Sequence, residues 1–507
     1  MKRQALFAFF VFCAFFLFSC RSPRVPSERD GGRFFKEKVL YVALESNFND
    51  YFLFNGQPMG FGLEMLEGFS SYLGCELVIL PCRTLDEQWR MLEDGRVDII
   101  ASNLNITEER LRRAAFTHPL YHTGQVLVQL GLPYLDDSSL FASSLAQLAG
   151  KTVSVREQSV FEEFLERYNQ SVPRQERIRV AKSPKTEEEL LLAVAVGEIP
   201  YTVVSSSKAV RFRMAHPQID CSVHVDSSRA VAWALHPAAD SLLFLADRWI
   251  DSMQRNKTIR YLYHKYYEIP YGKTVRSAKS GFRKMDSVAF SRKRRQWGKL
   301  LDEGLLARED SLFFFGSASP RVIREKHVHG KAEISPFDRL LKKYSRQIGW
   351  DWRLLASLVY QESQFQNHLV SSKGAIGLMQ VMPSTARQYG ITVRSSDEDQ
   401  IAAGVRYIKS IYRSLPEGIP AEEQVHFVLG AYNIGLGHIL DARRLAVKYG
   451  ADPDVWRDNV EKYLLLKSKP EYYRDSASRN GYANGSQAVD FVRKINTRHM
   501  HYRNLAK

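Results

Sequence analysis

The first half of the chain alternates short apolar strands with helical segments, and this alternation constrains the fold more than any other feature. "VLYVAL", which begins at Val39, is a β-rich apolar run. It precedes "GFGLEMLEGFSSYLG", where apolar residues recur at helical spacing up to Gly74. "ELVIL" and "VDIIAS" add two strands, with the helical pattern "LDEQWRMLEDG" between them. Alternating strands and helices form a parallel sheet covered by helices, so this part should be α/β.

The pattern changes near Ile334, after which helical periodicity continues and no strand run stands out. Ser335 is a predicted N-cap with Pro336 in the first helical turn, and Gly349 should end that helix. Asp351 should cap the next helix, "DWRLLASLVYQES". Later helical patterns are "EDQIAAGVRYIKSIYRSL", "AEEQVHFVLGAYNIG" and "GSQAVDFVRKI". The 507 residues suit about three domains, and we predict an α/β module followed by a mostly α domain.

The N-terminus has the architecture of an export signal. A short basic head precedes an apolar run from Ala5 to Phe18, which is too short for a membrane span of ~20 residues. The run ends in "LFSC", which resembles the lipobox of bacterial lipoproteins. That resemblance implies a signal peptide over residues 1–19 and lipidation of Cys20. An uncleaved anchor or a plain signal peptide is the alternative. Residues 20–36 are rich in Pro, Gly and Ser and should be a tether.

The net charge of +15 favours partners that are polyanions. No nucleic-acid motif accompanies this charge, so we expect a negatively charged surface and no nucleic acid. Residues 271–300 hold ten Lys or Arg and a single acid, Asp286, within a basic linker that we assign to residues 269–333. Such a run is usually a solvated linker, and contact with anionic polymer or lipid headgroups would be a secondary role.

Three cysteines follow the signal region and its lipobox. Cys75 and Cys82 flank "ELVILP", which reads as a strand, and the seven residue steps from one cysteine to the other span ~23 Å when extended. A disulfide needs Cα atoms ~5.5 Å apart, so this pair should not bond. We expect these two residues and Cys221 to be free thiols.

Residues 37–268 resemble the periplasmic solute-binding fold of the amino-acid-binding type. The stretches that carry the resemblance are "GFGLEMLEGFSSYLG", "GRVDIIASNLNITEERLRRAAFTHPLY" and "LAGKTVSVREQSVFEEFL". The resemblance implies two α/β lobes, a hinge and a ligand cleft. The second lobe should span roughly residues 130–222, after which the chain returns to the first lobe.

Two residues match a ligand-binding turn of that family, "T-x-x-R": Thr107 and Arg110. The arginine of this turn clamps a ligand carboxylate, which suits the fork of guanidinium donors. Pro200 and Ser205 stand where the family usually carries acids, one of which grips an amino group. The resemblance therefore implies a carboxylate ligand without a tightly held amino group, such as a muropeptide or stem peptide. Alternatively, Arg110 is a solvated surface residue.

A single glutamate, Glu362, ends an apolar helix in the second domain. It lies seven, four and three residues after Leu355, Leu358 and Val359, which places all four on one helix face. A carboxyl on that face would be desolvated, which raises its pKa and makes it a suitable general acid. The alternative is that Glu362 reaches water at the helix end.

The loop after this helix favours a ligand-binding function. Gly374 and Gly377 allow tight turns and close approach to a ligand. Met379 and Gln380 offer an apolar and a polar contact. Farther along, Tyr432 and Asn433 provide an aromatic face and an amide, which suit a sugar ring and its hydroxyl or acetamido groups.

Three short motifs in this order resemble the soluble lytic murein transglycosylase domain, which has a lysozyme-like fold. They are "ES" at 362–363, "GLMQ" at 377–380 and "AYN" at 431–433, and we assign the domain to residues 334–507. This resemblance implies that Glu362 is the catalytic residue. It also implies that substrate is bound by Ser363, Gly377, Met379, Gln380, Tyr432 and Asn433. With the solute-binding module ahead, the chain resembles the membrane-bound lytic murein transglycosylase F family. This implies cleavage between N-acetylmuramic acid and N-acetylglucosamine in peptidoglycan, with 1,6-anhydro ends.

The family's chemistry needs one carboxyl, because the sugar's own C6 hydroxyl is the nucleophile. We therefore expect no cofactor and no metal. Phe491 falls where the family carries a tyrosine that reaches the catalytic acid, and Tyr482 is a possible substitute. The alternative functions are a peptidoglycan-binding or sensory lipoprotein with a weakly active or hydrolytic domain, and a transport receptor. The expected location is the cell envelope, lipid-anchored at the periplasmic face of the outer membrane.

Overall fold

The computed structural model describes residues 33–82, 84–268 and 333–506. These residues form two compact units, which we describe separately. The α/β unit holds residues 33–51 and 60–268, and the helical unit holds residues 52–59 and 333–506. The signal peptide with Cys20, nearly all of the tether and the basic run 271–300 lie outside the described residues, so those predictions stay as they are.

The α/β unit is built on one mixed sheet with the strand order β4-β1-β5-β12-β7-β10-β8-β9. Its strands are β1 (Val39–Glu45), β4 (Glu76–Cys82), β5 (Ile99–Asn105), β6 (Ala115–Phe116), β7 (Tyr121–Leu130), β8 (Thr152–Arg156), β9 (Arg179–Ser183), β10 (Thr202–Ser205), β11 (Ile219–Asp220) and β12 (His224–Leu235). β1 is parallel to β4 and β5, and β8 is parallel to β9 and β10. The antiparallel pair β7 and β12 joins these two groups, which gives the two lobes that the sequence predicted.

Helices cover this sheet. They are α1 (Arg33–Glu37), α2 (Phe61–Leu73), α3 (Leu85–Glu93), α4 (Glu108–Leu111), α5 (Val160–Ser171), α6 (Glu187–Val196), α7 (Ser206–Ala215), α8 (Asp240–Arg255) and α9 (Thr258–Tyr263). α2 ends at Gly74 in the left-handed conformation, as its sequence predicted. Thr186 caps α6 through a reciprocal capping box with Glu189. The α/β prediction is confirmed.

The helical unit packs nine helices around one apolar core. They are α10 (Asp338–Ser345), α11 (Trp352–Ser363), α12 (Pro383–Tyr389), α13 (Asp397–Ser414), α14 (Ala421–Ile434), α15 (Leu436–Lys448), α16 (Glu461–Leu466), α17 (Pro470–Tyr473) and α18 (Gly485–Leu505) among the described residues. Leu355, Leu358 and Val359 of α11 are fully buried in this core with Phe427 of α14 and Ile495 of α18. The prediction of a mostly α domain is confirmed.

The start of α10 differs from the predicted one. Ser335 is not the N-cap, and Pro336 is not in the first helical turn, because the helix begins at Asp338. The Asp338 carboxylate accepts hydrogen bonds from the backbone N–H groups of Ile334 and Ser335. These bonds close a turn before the helix, which therefore begins two residues later than predicted.

One segment inside the predicted module of residues 37–268, residues 52–59, does not group with the α/β unit. In chain order they fall between β1 and α2, yet they pack with the helical unit. They form a hairpin of β2 (Phe52–Phe54) and β3 (Gln57–Met59) around Asn55 and Gly56, both with positive φ. Asn-Gly is the favoured pair for such a tight turn. Leu53 packs against the helical unit's core, and the Tyr502 hydroxyl donates a hydrogen bond to the Gly56 carbonyl.

Cys75, Cys82 and Cys221 are free thiols, so the absence of a bond between Cys75 and Cys82 is confirmed. Within the described ranges, no helix has the length and apolar character needed to cross a membrane.

Candidate active site

Glu362 lies in the last turn of α11, on the face that carries the buried Leu355, Leu358 and Val359. Its side chain is half-buried, and desolvation raises the pKa of its carboxyl to about 8. Desolvation is the only cause of this shift, and among the residues that the structure describes none donates a hydrogen bond to the carboxyl. The raised pKa agrees with the prediction, and the residue also keeps partial exposure to water at the helix end, as the alternative expected.

The loop after α11 is fastened to the helix by its polar side chains. Ser363 is buried, and the single proton of its hydroxyl is shared between the carbonyls of Leu378 at 2.8 Å and Val359 at 3.1 Å. Gly377 is buried too, and a Cβ there would lie 2.1 Å from Oε1 of Gln400 on α13. That same oxygen accepts a hydrogen bond from the backbone N–H of Leu378 at 2.9 Å. Gly377 is therefore needed for the close approach of Gln400, and the loop is held from both sides.

Met379 and Gln380 also serve the loop itself. The Met379 side chain is fully buried against Gly404, and its carbonyl accepts a hydrogen bond from the Tyr432 hydroxyl. Gln380 has a positive φ of 45°, and its side-chain amide donates to the carbonyls of Leu369 and Gly377. The structure gives both residues a role in shaping the loop, and their substrate contacts remain predictions.

Tyr432 connects α14 to the loop and to Glu362. Its hydroxyl donates to the Met379 carbonyl at 2.7 Å. Burial raises the pKa of this hydroxyl well above its ordinary value, and the charge of Glu362 adds to the rise. Asn433, the next residue, is exposed at the end of the helix. The structure therefore brings Glu362 and Tyr432 together, and it leaves Asn433 accessible to a ligand.

Two residues of α13 belong to this region, and the sequence motifs did not indicate them. The half-buried Tyr407 has its ring centroid 5.2 Å from that of Tyr432. Gln400 bonds the loop as described above. Both residues come from a helix whose sequence reads as an ordinary amphipathic pattern, so no local signal marked them.

The expected partner of the acid is absent on α18. Phe491 is buried in the core and has no hydroxyl to donate. Tyr482 is 60% exposed, and its ring meets that of Tyr473 edge-on at 5.8 Å. Tyr482 therefore does not replace the family's tyrosine in this structure.

In the α/β unit, Arg110 is buried between the two lobes, so the alternative of a solvated surface arginine is wrong. Thr107 caps the helix that carries it and accepts from the Arg110 backbone N–H. The guanidinium donates to the carbonyls of Asn105 and Gln158, which uses two of its five N–H donors. Burial lowers the pKa of Arg110 to about 10.

The second lobe contains acids that the sequence motif did not indicate. Ser205 donates through its hydroxyl and its backbone N–H to Glu187 of α6. Lys208, which is fully buried, forms ion pairs of 2.9 Å with Glu187 and Glu188. These acids come from a helix rather than from the strand where the family pattern places them, and they are paired inside the protein.

Comparison with known proteins assigns a family to each unit. The family of bacterial extracellular solute-binding proteins, family 3, matches residues 40–269, and the transglycosylase SLT domain matches residues 339–454. Curated relatives cover both together. Membrane-bound lytic murein transglycosylase F from Shewanella pealeana is 30% identical over 88% of this chain and 81% of its own length. The chain belongs to this family.

Other relatives give the same result. The family member from Shewanella denitrificans is 31% identical over 86% of this chain and 76% of its own length. The member from Desulfosudis oleivorans is 28% identical over 90% of this chain and 88% of its own length. Among solved structures, a mutant of ArgBP from T. maritima covers 47% of this chain and 100% of its own, with 25% identity and a TM-score of 0.42. The resemblance to the transglycosylase F family is confirmed.

Proposed function

We propose that this chain is a lytic transglycosylase that cleaves the β-1,4 bond between N-acetylmuramic acid and N-acetylglucosamine in peptidoglycan. The observation that carries the proposal is the half-buried Glu362 carboxyl, whose pKa is raised to about 8. At neutral pH this carboxyl is mostly protonated and can donate its proton. Family membership supports the same activity.

Glu362 would act twice in one turnover. As an acid, it protonates the glycosidic oxygen as that oxygen leaves C1 of the muramic acid, while the 2-acetamido group shields the positive charge that develops at C1. As a carboxylate, it then accepts the proton of the C6 hydroxyl, whose oxygen attacks C1 and closes the anhydro ring. Most hydrolytic glycosidases use a second carboxylate, and among the described residues no other acid contributes to the pKa shift of Glu362.

The glycan would bind beside Glu362, Tyr432 and the loop of residues 374–380. Tyr432 offers its ring, and the exposed Asn433 offers an amide to hydroxyl or acetamido groups. Ser363 and Gln380 keep the loop in shape through their hydrogen bonds to its carbonyls. The proposal therefore divides the predicted substrate residues into those that touch glycan and those that hold the loop.

Digestion of purified sacculi tests this proposal. We expect muropeptides whose muramic acid ends resist borohydride reduction, because an anhydro ring has no reducing end. Reducible ends would instead indicate a hydrolytic muramidase. Binding to sacculi without release of fragments would indicate a binding or sensory protein.

The module of residues 37–268 would bind a ligand that carries a carboxylate. Arg110 is buried, and within the described ranges only two of its five guanidinium N–H donors have a hydrogen-bond partner, so the group favours an anionic ligand. Lys208 already pairs with the acids of α6. These acids are therefore not available to grip a ligand's amino group, which favours a muropeptide or a stem-peptide fragment over a free amino acid.

We expect Arg110→Ala to abolish or strongly weaken the binding of a stem peptide to the full chain. Loss of a charge-assisted pair in a buried site should reduce affinity by about 10- to 100-fold. Isothermal titration calorimetry measures this, with Arg113→Ala as the control because Arg113 is exposed and pairs with Glu93. Tight binding of a free amino acid that is unaffected by Arg110→Ala would contradict the proposed ligand class.

The chain would be anchored to the periplasmic face of the outer membrane by lipid on Cys20. The "LFSC" end of the apolar run supports this proposal. We expect Cys20→Ala to release the protein from membranes or to leave the precursor uncleaved, as measured by membrane fractionation and intact mass. Cys75→Ala is the matched control. Unchanged membrane retention together with an unchanged mature mass in Cys20→Ala would rule out lipidation.

A further inference from the structure

We propose that the hairpin of residues 52–59 is a positioning element of the active site, and that its turn holds the segment that carries Glu362. This proposal rests on the proposed catalytic role of Glu362. The hairpin lies inside the solute-binding match of residues 40–269 and outside the transglycosylase match of residues 339–454, so the transglycosylase motifs give it no role at the active site.

The segment around Glu362 needs support because its backbone is strained. α11 ends at Ser363, and the next two residues, Gln364 and Phe365, both have positive φ, at 51° and 62°. The left-handed region is unfavourable for a residue other than glycine, because its Cβ approaches the following carbonyl oxygen. Two such residues in succession persist only where surrounding contacts hold them.

The aromatic ring of Phe365 is the main point at which this turn is held. It meets the ring of Tyr360 edge-on at 5.6 Å and the ring of Phe337 at 6.3 Å. Tyr360 and Phe365 lie two residues before and three residues after Glu362. Contacts to these two rings therefore act on the chain immediately before and after the residue that carries the carboxyl.

The hairpin turn packs against the rings of Phe365 and Tyr360. A Cβ at Gly56 would lie 2.5 Å from Cε2 of Phe365 and 3.2 Å from Cδ2 of Tyr360. The turn therefore approaches both rings as closely as a glycine allows. Gln57 adds a weak contact of 3.5 Å between its side-chain oxygen and the Tyr360 hydroxyl.

α18 locks the hairpin in place. Tyr502 is fully buried, and its hydroxyl donates to the Gly56 carbonyl. One helical turn earlier, Arg498 lies 4.3 Å from the centre of the Tyr360 ring and donates to Gln361 at 3.0 Å. The hairpin and α18 together fix the residues on both sides of Glu362.

Among the described residues, the charged or titratable side chains around this segment are Asp338 of α10, Tyr360 of α11, Tyr432 of α14, and Arg498 and Tyr502 of α18. Tyr432 of α14 senses the charge of Glu362, and Arg498 of α18 bonds its neighbour Gln361. Neither group belongs to the hairpin. A change at Gly56 should therefore act on the Glu362 carboxyl through its position and its access to water.

Gly56→Ala in the full chain tests the proposal, with Gly450→Ala as a matched control. Both glycines have a φ of 76°, and a Cβ at Gly450 would meet nothing within 4 Å. The two variants thus share the backbone strain, and only the first displaces Phe365 and Tyr360. We expect Gly56→Ala to lower kcat about 10-fold or more, because small misplacements of catalytic groups are costly. KM should change little.

The pH profile separates positioning from a general loss of stability. If Gly56→Ala opens Glu362 to water, the pKa of the carboxyl falls towards its ordinary value. The loss of kcat/KM at alkaline pH should then begin at a lower pH in Gly56→Ala than in wild type, and at an unchanged pH in Gly450→Ala. Tyr502→Phe, which removes the hydrogen bond to the turn, should shift this pH in the same direction by a smaller amount. This milder variant decides the question if Gly56→Ala does not fold.

Equal kcat and equal pH profiles for Gly56→Ala and Gly450→Ala would overturn the proposal. If Gly56→Ala does not fold, a pH profile of Tyr502→Phe that matches the wild-type profile would also overturn it. Retained activity in Glu362→Gln would instead show that the proposed catalytic role is wrong, so the two failures are distinguishable.

Discussion

Glu362→Gln should reduce the release of muropeptides by at least about 10⁴-fold. The amide keeps the shape of the side chain but has no proton to donate and cannot accept one from the C6 hydroxyl. General acid–base catalysis contributes ~10² to 10⁴-fold, and here one group would serve both steps. The variant should still bind sacculi, because Tyr432 and the loop remain. Initial rates on purified sacculi measure the loss.

Glu398→Gln is the matched control for this substitution. Glu398 is an exposed acid in the first turn of α13, paired with Lys343. Hydrogen bonds from Lys343 and Tyr344 hold the pKa of its carboxyl below the usual range, so it is no proton donor at neutral pH. Its loss should leave activity within about twofold of wild type. Substantial activity in pure Glu362→Gln protein would contradict the assignment of Glu362.

The pH dependence follows from the same carboxyl. A general acid works in its protonated form, so kcat/KM should fall as pH rises through about 8, the raised pKa of Glu362. The unfolded chain releases this proton near pH ~4.3. Between these values the folded state binds more protons, so its stability falls as pH rises. Glu362→Gln should therefore be more stable than wild type at pH 8, and the two should be nearly equal at pH 4.

The second large effect is expected at Asp441 of α15, where Asp441→Asn should cost about 3 to 5 kcal/mol of unfolding free energy. Asp441 and Lys467 form an ion pair in which both side chains are fully buried. Burial alone would raise the pKa of Asp441, but hydrogen bonds from Lys467 and from the backbone N–H groups of Arg479 and Asn480 outweigh it and lower the pKa. The substitution leaves the Lys467 ammonium buried without a counter-ion.

Lys467→Met should cost less, because Asp441 keeps the donors of Arg479, Asn480 and Arg444. Asp490→Asn is the control: Asp490 forms partly exposed pairs on α18, so its loss should stay within ~0.5 kcal/mol. Calorimetric unfolding at neutral pH measures all three variants. The difference in unfolding free energy between wild type and Asp441→Asn should shrink below pH ~4, because Asp441 of the unfolded chain takes up a proton there. Equal stabilities for Asp441→Asn and Asp490→Asn would contradict this account.

The fold was largely predictable because its periodicities are local. Alternation of strands and helices from Val39 identified the α/β unit, and Gly74 and Asp351 marked helix ends that the structure confirms. The hairpin of residues 52–59 was missed. Its assignment to the helical unit depends on contacts with residues about 300 or more positions away, such as Tyr502 and Phe365, and sequence spacing contains no such information.

In the candidate site too, features set by local sequence were predictable and features set by tertiary packing were not. The position of Glu362 on an apolar helix face predicted its raised pKa correctly, because both follow from helical geometry and desolvation. The sequence did not indicate that the Met379 side chain packs into the core against Gly404. Gln400 and Tyr407 had no local signal, since they join the site only when α13 packs against the loop. Tertiary packing decided which polar residues hold the loop.

The most direct test of the central claim, that one carboxyl cleaves glycan without activating water, is digestion of sacculi by the wild-type protein in water enriched in heavy oxygen. Mass spectrometry of the released muropeptides then reports the source of the atom bound to C1. We expect anhydro ends that contain no solvent oxygen, because the C6 hydroxyl of the sugar supplies the attacking atom. Reducing ends that carry one heavy oxygen would contradict the account.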